Sequence, residues 1–259
     1  MTEVLGFVGL GGIGSRVVPH MLKAGHDVAV FDLNNDAVAR LAEQGARAVP
    51  SPAEAAKGAS TIFLSLPTSQ LVRRAVVAED GVLEGAPQGA VIVDHSLNDP
   101  QTARDLAAAA RAGGFAYLDA PVIGDVQQPD NGSLTVMIGG EAKVFAKVRP
   151  VIAAFADNIF HVGPSGSGQA LKLADNDISA AKIVALREGL SGTAGAEDDL
   201  NTAVDVLTKR SVAGVTLTSH LGRTFFTEDR ATGFTPDFML KDIEIFLEFS
   251  FKTHCPSLL

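Results

Sequence analysis

The sequence predicts an α/β protein, with a doubly wound parallel sheet over residues 1–164 and an all-helical second domain over residues 165–259. In the first part, short apolar runs alternate with alanine-rich helical segments, which is typical of parallel sheets. The strand signals stop after Gly163, and one long apolar helix is predicted over residues 167–194. We therefore expect the domain boundary near residues 163–168.

The elements follow in a regular order along the chain. An apolar run at residues 4–8 predicts the first strand, and a helical pattern closed by Gly25 leads to a second strand at residues 28–31. Further strands are predicted at residues 61–64, 91–93, 115–118 and 134–138, and further helices at residues 52–57 and 100–111. Beyond residue 200 the pattern is helical, with a Gly- and Thr-rich interruption at residues 212–219.

A glycine-rich turn separates the first strand from the first helix. It reads Gly9-Leu10-Gly11-Gly12-Ile13-Gly14. With this spacing, Gly9 permits a tight turn, Gly11 lets the backbone approach a pyrophosphate, and Gly14 lets the helix pack on the strand. The helix amino terminus adds unpaired N–H groups and the positive end of its dipole. The turn therefore predicts a dinucleotide-binding domain of the Rossmann type.

The second strand ends at Asp32, which the same fold places beside the adenosine ribose. A carboxylate there accepts hydrogen bonds from the ribose and repels a 2′-phosphate, and Leu33 and Asn34 follow without an Arg. We therefore expect the loop of these three residues to bind the cofactor, with NAD favoured and NADP not excluded.

Composition limits the partners. The net charge is −9, from 21 Lys and Arg against 30 Asp and Glu, which argues against a nucleic acid or an anionic membrane surface and leaves a small-molecule substrate. The chain lacks an apolar run near the ~20 residues that span a bilayer, and its start does not resemble a signal peptide. Cys255 is the one cysteine, which fits a reducing compartment. We expect a cytoplasmic protein.

Lys172 is the best candidate for acid/base chemistry. It lies near the start of the long helix, shortly after Gly166 and Gly168, where the chain can pass close to a cofactor. Asn176 is one turn later on the same face and can hold the lysine amine or a substrate hydroxyl. From spacing alone, a Lys near a helix start is usually a solvated surface charge.

Other reactive side chains carry no such pattern. The six histidines show no metal-ligand spacing, so no metal site is expected; they are His20, His26, His95, His161, His220 and His254. Ser165 and Ser167 lack the context of a catalytic nucleophile and are interpreted as turn residues.

Four segments resemble the β-hydroxyacid dehydrogenase family in order and spacing, to about residue 247. They are the glycine-rich turn, Asp119-Ala120-Pro121-Val122, Gly166-Ser167-Gly168 with Lys172 and Asn176, and Phe234 through Lys241-Asp242. The resemblance implies NAD(P)-dependent hydride transfer to or from a 3-hydroxy acid or semialdehyde, in a cleft between two domains. It also implies that Lys172 is the proton donor and acceptor and that Asn176 supports it.

The resemblance assigns further site residues. Cofactor contacts are expected from Leu66, Pro67, Ser96 and Lys241, and substrate contacts from Leu97, Val122, Ile123, Gly124, Asp125, Phe234 and Asp242. The alternatives without a functional role are a surface ion pair for Lys241 and Asp242 and a core aromatic for Phe234.

Two departures from the family pattern bear on the substrate. Where the family usually has Ser-Gly-Gly, this chain has Ile123-Gly124-Asp125, and where it usually has Ser-Thr, this chain has Ser96-Leu97. Two hydroxyls are lost, and Asp125 brings a negative charge toward an anion site. These changes predict a more apolar or larger substrate than the usual small hydroxy acids.

Two alternatives remain open. Imine reductases share the scaffold but usually replace the lysine with Asp or Tyr, so Lys172 argues against them; the longer 6-phosphogluconate dehydrogenases fit worse. A nucleotide-binding scaffold with little catalysis is favoured by Ile123, Asp125 and an apparently short carboxyl end. The apolar residues 243–251 predict burial against a second subunit, in agreement with the family's homodimers and homotetramers.

Overall fold

The computed structural model describes residues 2–124, 134–195, 200–209 and 235–254. Its strands are β1 (Val4–Val8), β2 (Asp27–Phe31), β3 (Arg47–Ala48), β4 (Thr61–Leu64), β5 (Val91–Asp94), β6 (Ala116–Asp119), β7 (Val122–Ile123), β8 (Leu134–Gly139) and β9 (Ala156–Gly163). Its helices are α1 (Gly14–Lys23), α2 (Asn35–Ala42), α3 (Pro52–Ala56), α4 (Ser69–Val77), α5 (Val82–Gly85), α6 (Pro100–Ala112), α7 (Ala142–Ile152), α8 (Ser167–Gly195), α9 (Leu200–Thr208) and α10 (Pro236–Lys252). The predicted interruption at residues 212–219 lies outside the described residues.

The sheet is doubly wound, as predicted. Strands β3, β2, β1, β4, β5 and β6 lie in this order and run parallel. The strand order reverses between β1 and β4, and in open α/β sheets the crevice at such a point, outside the carboxyl ends of the strands, receives the ligand.

Beyond β6 the sheet becomes mixed, which the sequence did not predict. Strand β8 runs antiparallel to β6 and to the short β7, and β9 pairs parallel with β8. Strand β9 carries several exposed side chains and therefore lacks the continuous apolar run by which the inner strands are recognised.

Helices cover both faces of the sheet. Apolar side chains of α1, α2 and α7 form the core on one face, and those of α3, α4 and α6 form it on the other. Phe7 and Phe63 stack with ring centroids 6.0 Å apart, and Phe155 meets Phe63 edge-on at 6.1 Å. All three rings are buried, and each stabilises the fold by about 1.5–3 kcal/mol.

The chain divides into two compact units, Met1–Lys172 and Leu173–Leu259. The first contains the sheet with its helices and the first residues of α8. The second contains the rest of α8 together with α9 and α10. Across the described ranges, none of the helices combines the length and apolar character needed to cross a membrane.

Candidate active site

Three glycines of the turn after β1 have different structural roles. Gly9 has a φ of +95°, and a Cβ there would overlap the carbonyl oxygen of Ser65. A Cβ on Gly14 would overlap the carbonyl oxygen of Gly9. An added Cβ on Gly11, in contrast, would have no atom of the described residues within 4 Å. The fold itself requires Gly9 and Gly14, whereas the space over Gly11 is open to a ligand.

The start of α1 can accept an anion. Ile13 occupies the capping position, and its apolar side chain cannot accept hydrogen bonds from the first turn. The first turn also carries no acidic side chain, so the positive end of the helix dipole is not neutralised locally. The N–H groups of Ser15 and Arg16 already donate to the carbonyl oxygens of Gly11 and Ile13. Together with the open space over Gly11, this arrangement fits the pyrophosphate of a dinucleotide.

Asp32 connects the loops that follow β1 and β2. Its Oδ2 accepts the backbone N–H of Leu10 at 2.5 Å, and its Oδ1 accepts that of Asn34 at 2.7 Å. The side chain of Asn34 in turn caps α2, and the side chain of Leu33 is 85% exposed. The structure therefore brings Asp32 to the glycine-rich turn, while Asn34 shapes the loop beside it.

Ser96 makes a similar connection between the loops after β4 and β5. Its Oγ accepts the backbone N–H of Leu66 at 2.8 Å, and Pro67 follows directly. Ser96 is buried, and the neighbouring Leu97 is half-buried. These loops lie at the same carboxyl edge of the sheet as the glycine-rich turn, because β1, β4 and β5 run parallel.

A buried carboxyl group, that of Asp94, holds the loop after β5 by hydrogen bonds. The Oδ2 atom of Asp94 accepts hydrogen bonds from the Tyr117 hydroxyl and from Nδ2 of Asn98, both at 2.6 Å. Its Oδ1 accepts the N–H of Ser96 at 2.9 Å. Burial raises the pKa of Asp94 to about 6, although the hydrogen bonds from Ser96 and Tyr117 oppose the shift. Burial also raises the pKa of Tyr117, with a further contribution from the charge of Asp94.

The side chain of His95, the next residue after Asp94, lies in the aromatic core. Its ring stacks on Phe63 and meets Phe155 edge-on, with centroids 5.6 Å away in both cases. Nδ1 lies 2.6 Å from the carbonyl oxygen of Ala120, which only accepts, so Nδ1 carries the proton. Burial lowers the pKa of His95 to about 4. His95 is therefore a neutral core residue.

Asp94 and His95 affect stability oppositely over the same pH range. The pKa of folded Asp94 lies above its ordinary value of 3.8, so its contribution to stability falls as the pH rises from about 4 to about 6. The pKa of folded His95 lies below its ordinary value of 6.5, so its contribution rises between about pH 4 and 6.5. Each effect is on the order of 3 kcal/mol.

We therefore expect His95→Phe to remove the contribution that opposes that of Asp94 in the pH dependence of stability. Without the histidine, the free energy of unfolding should fall, relative to wild type, by on the order of 3 kcal/mol between about pH 4 and 6.5. Urea unfolding at several pH values measures the change, and His20→Phe, on α1, is the matched control. A pH profile of His95→Phe that runs parallel to wild type would contradict the assignment.

The start of α8 is held by Asp119, the last residue of β6. Its Oδ1 accepts the N–H of Gly166 at 2.7 Å, and its Oδ2 accepts that of Gln169 at 3.1 Å. Burial raises the pKa of Asp119, and these backbone hydrogen bonds lower it. Lys172 follows Gln169 by three residues and is half-buried. The carboxylate thus joins the helix that carries Lys172 to the carboxyl edge of the sheet.

In the second unit the structure brings three predicted site residues together. Nδ2 of Asn176 donates to Oδ2 of Asp242 at 2.7 Å, and Nζ of Lys241 lies 3.1 Å from Oδ1 of the same carboxylate. Asp242 and Asn176 are buried, and Lys241 lies over the ring of Phe238 at 5.8 Å. Asp242 therefore orients Asn176, and the pair with Lys241 is not an ordinary surface ion pair.

The remaining predicted substrate residues are only partly described. Val122 and Ile123 form β7, paired with Val136 and Thr135 of β8, and Gly124 follows. Asp125 and Phe234 lie outside the described residues. Within the described ranges, no group of three or more His, Cys, Asp or Glu side chains could hold a metal ion.

Sequence reasoning gave no role to several residues that shape the site. They are Asp94, Asn98, Tyr117, Asp119 and Gln169, all buried. Asp119 and Gln169 stand inside segments that carry the family resemblance, and this is the one signal that could have pointed to them.

Two family models match the chain. Residues 4–163 match the NAD-binding domain of 6-phosphogluconate dehydrogenase, and residues 166–259 match the NAD-binding region of NADP-dependent 3-hydroxyisobutyrate dehydrogenase. Together they account for nearly the whole chain.

Individual relatives agree with these models. The chain is 33% identical over 246 residues to 2-(hydroxymethyl)glutarate dehydrogenase of Eubacterium barkeri, which covers 94% of this chain and 81% of the relative. It is 38% identical over 204 residues to 3-hydroxyisobutyrate dehydrogenase of Pseudomonas aeruginosa, covering 79% and 67% respectively.

Solved structures give the same result. A Mycobacterium tuberculosis 3-hydroxyisobutyrate dehydrogenase with L-serine superposes with a TM-score of 0.87 at 27% identity, covering 100% of this chain and 90% of the other. An imine reductase from Myxococcus stipitatus with NAD⁺ superposes with a TM-score of 0.73 at 23% identity, covering 81% and 72%. The second likeness concerns the fold alone.

Proposed function

This chain belongs to the β-hydroxyacid dehydrogenase family of NAD(P)-dependent oxidoreductases, and we propose that Lys172 is its proton donor and acceptor. One observation carries the proposal. Asp119 fastens the first turn of α8, which leads to Lys172, to the carboxyl edge of the sheet, where the glycine-rich turn also lies. An amine positioned at this edge of the sheet is what an alcohol oxidation requires.

The proposed reaction combines a hydride transfer with a proton transfer at Lys172. NAD(P), held at the glycine-rich turn and Asp32, would supply the hydride acceptor for oxidation of the alcohol carbon and the hydride donor for reduction of the carbonyl carbon. The Nζ atom of Lys172 takes the hydroxyl proton as an amine, becomes an ammonium, and gives the proton back in the reverse direction. Asn176, held by Asp242, supports the lysine or the substrate hydroxyl.

The proposed substrate is a 3-hydroxy acid or semialdehyde with an apolar or larger side chain. Leu97 and Ile123 support this choice, because each replaces a hydroxyl residue of the family pattern by an aliphatic one. Aliphatic side chains favour apolar groups and leave fewer hydrogen-bond donors for a second polar group.

A cofactor titration followed by a substrate panel tests the function. NADH and NADPH are titrated separately. Turnover is then measured with NAD⁺ or NADP⁺ as the oxidant on 3-hydroxyisobutyrate, L-serine, 2-(hydroxymethyl)glutarate and bulkier apolar hydroxy acids. We expect NADH binding and turnover that improves with apolar size. Binding without turnover of any member would overturn the dehydrogenase in favour of a nucleotide-binding scaffold.

Asp32→Ala tests the proposed preference for NAD. Removing the carboxylate takes away its charge-assisted hydrogen bonds to the ribose and its repulsion of a 2′-phosphate. We expect NADH affinity to fall by about tenfold or more, with NADPH affinity changing less. Fluorescence titration of each cofactor measures the two constants.

The control for Asp32→Ala must separate cofactor contact from loop disruption, since Asp32 also holds Leu10 and Asn34. Asp36→Ala removes a nearby charge in the first turn of α2 and should leave both affinities unchanged. An equal loss for NADH and NADPH would remove the basis for preferring NAD.

We further propose that residues 165–259 form the substrate and oligomerisation domain, and residues 1–164 the dinucleotide-binding domain. Exposed apolar side chains on α10 support a homodimer or homotetramer; they are Phe238, Leu240, Leu247 and Phe251, the last 78% exposed. Sedimentation equilibrium tests this proposal, and a monomer at micromolar concentration would overturn it.

The proposed location is the cytoplasm. It is supported by the use of a single cysteine in the whole sequence, Cys255. Cell fractionation tests the location.

A further inference from the structure

The side-chain amide of Gln169 bridges the two peptide groups that flank Leu97. Its Nε2 donates to the carbonyl oxygen of Ser96 at 2.9 Å, and its Oε1 accepts the N–H of Asn98 at 2.9 Å. Gln169 is fully buried, so neither hydrogen bond is exchanged for water. A single planar group therefore fixes the backbone of the loop on both sides of Leu97.

Gln169 is itself fixed at its base. Its backbone N–H donates to Asp119, which also accepts the N–H of Gly166, so the first turn of α8 has two anchors on β6. Lys172 is three residues further along the same helix and thus projects from a neighbouring position on one face. Movement of Gln169 would therefore move Lys172 with it.

The loop itself is held from the side of the sheet. Asp94 accepts hydrogen bonds from the N–H of Ser96 and from the side chain of Asn98. Leu97 thus lies between two residues that are tied both to β5, through Asp94, and to α8, through Gln169. The tie to α8 is the one that relates Leu97 to Lys172.

We propose that Gln169 is a positioning residue, which sets the distance between Leu97, as a substrate contact, and Lys172, as the proton donor and acceptor. The inference rests on the proposed function of Lys172. A substrate held against Leu97 must present its hydroxyl to Nζ, and a displacement of about 1 Å between reacting groups can cost on the order of a hundredfold in rate.

Gln169→Met tests the connection by keeping the length of the side chain and removing both hydrogen bonds. We expect kcat to fall on the order of ten- to a hundredfold while NADH affinity stays within about twofold. Amide hydrogen exchange at Asn98 should become about tenfold faster or more, because its acceptor is lost. Gln44→Met, an exposed position near the end of α2, is the matched control.

Gln169→Glu tests the hydrogen bonds by pH. A neutral carboxyl group can donate to the Ser96 carbonyl and accept from Asn98, whereas a carboxylate cannot donate. We therefore expect kcat, taken as a ratio to wild type at each pH, to rise toward one as the pH falls. Charged and titratable side chains on the elements around this position are Asp94, His95, Tyr117, Asp119, Arg104 and Lys172. The two nearby aspartates disfavour a further negative charge.

Three results would contradict the positioning role of Gln169. An unchanged kcat in Gln169→Met would show that the residue does not position the reaction, and unchanged exchange at Asn98 would show that it does not hold the loop. A ratio for Gln169→Glu that stays well below one down to the lowest pH tested would also overturn the inference. Turnover that survives Lys172→Ala overturns the proposed function instead, and the exchange measurement at Asn98 is independent of that result.

Discussion

Lys172→Ala is expected to lower kcat by about 10²- to 10⁴-fold in both reaction directions. Without the amine, the hydroxyl proton has no positioned acceptor during oxidation, and the carbonyl oxygen has no positioned donor during reduction. Lys172 is not among the proposed cofactor contacts, which lie mainly in the loops after β1, β2, β4 and β5, so NADH affinity should stay within about twofold. Steady-state kinetics and a fluorescence titration on the same preparation measure both effects.

A second substitution separates proton transfer from charge. Lys172→Arg keeps the positive charge, but a guanidinium does not give up its proton at neutral pH. It should therefore be nearly as inactive as the alanine variant, although it retains attraction for an anionic substrate. Lys182→Ala, an exposed lysine on the same helix, is the control and should behave as wild type. Substantial activity in either Lys172 variant would show that another group carries the proton.

The inner strands could be predicted from the sequence because each is buried on both faces. Thr61–Leu64 and Val91–Asp94 are buried throughout, so they read as continuous apolar runs between polar turns. For these strands, local composition and tertiary environment agree. Their ends lie within one residue of the predicted positions.

Strands β7 and β9 could not be predicted for the opposite reason. Strand β7 has two residues and exists through its pairing with β8. Strand β9 mixes exposed polar and apolar side chains, and its pairing with β8 determines its conformation. Neither contains a local signal strong enough to be read without its partner.

The candidate site also combines features that could be predicted from the sequence with features that could not. The spacing of Gly9, Gly11 and Gly14 lies within one turn and is readable from sequence alone. The hydrogen bond from Asn176 to Asp242 joins residues 66 positions apart, and that from Gln169 to Ser96 joins residues 73 apart. Contacts of that separation leave no local pattern. The resemblance could therefore place Asp242 at the site, but its hydrogen bond to Asn176 and the role of Gln169 emerge only in the folded chain.

Two glycine substitutions in the same turn should impair different properties: Gly9→Ala should lower stability, and Gly11→Ala should weaken cofactor binding. Gly9→Ala places a methyl group against the carbonyl oxygen of Ser65 and forces a φ of +95° on an alanine. We expect it to lower the free energy of unfolding by on the order of 2–4 kcal/mol. Gly11→Ala meets none of the described residues, so stability should change by less than about 1 kcal/mol.

Gly11→Ala should weaken NADH binding selectively, without a comparable loss of stability. The methyl group of Gly11→Ala would occupy the space that we assign to the pyrophosphate, so NADH affinity should fall by about tenfold or more in a protein that is otherwise folded. Urea unfolding and NADH titration of both variants separate the two effects. If Gly11→Ala binds NADH as wild type does, the cofactor does not pass over Gly11. The open space there then has no bearing on function, and the helix amino terminus would remain as the sole support for the pyrophosphate site.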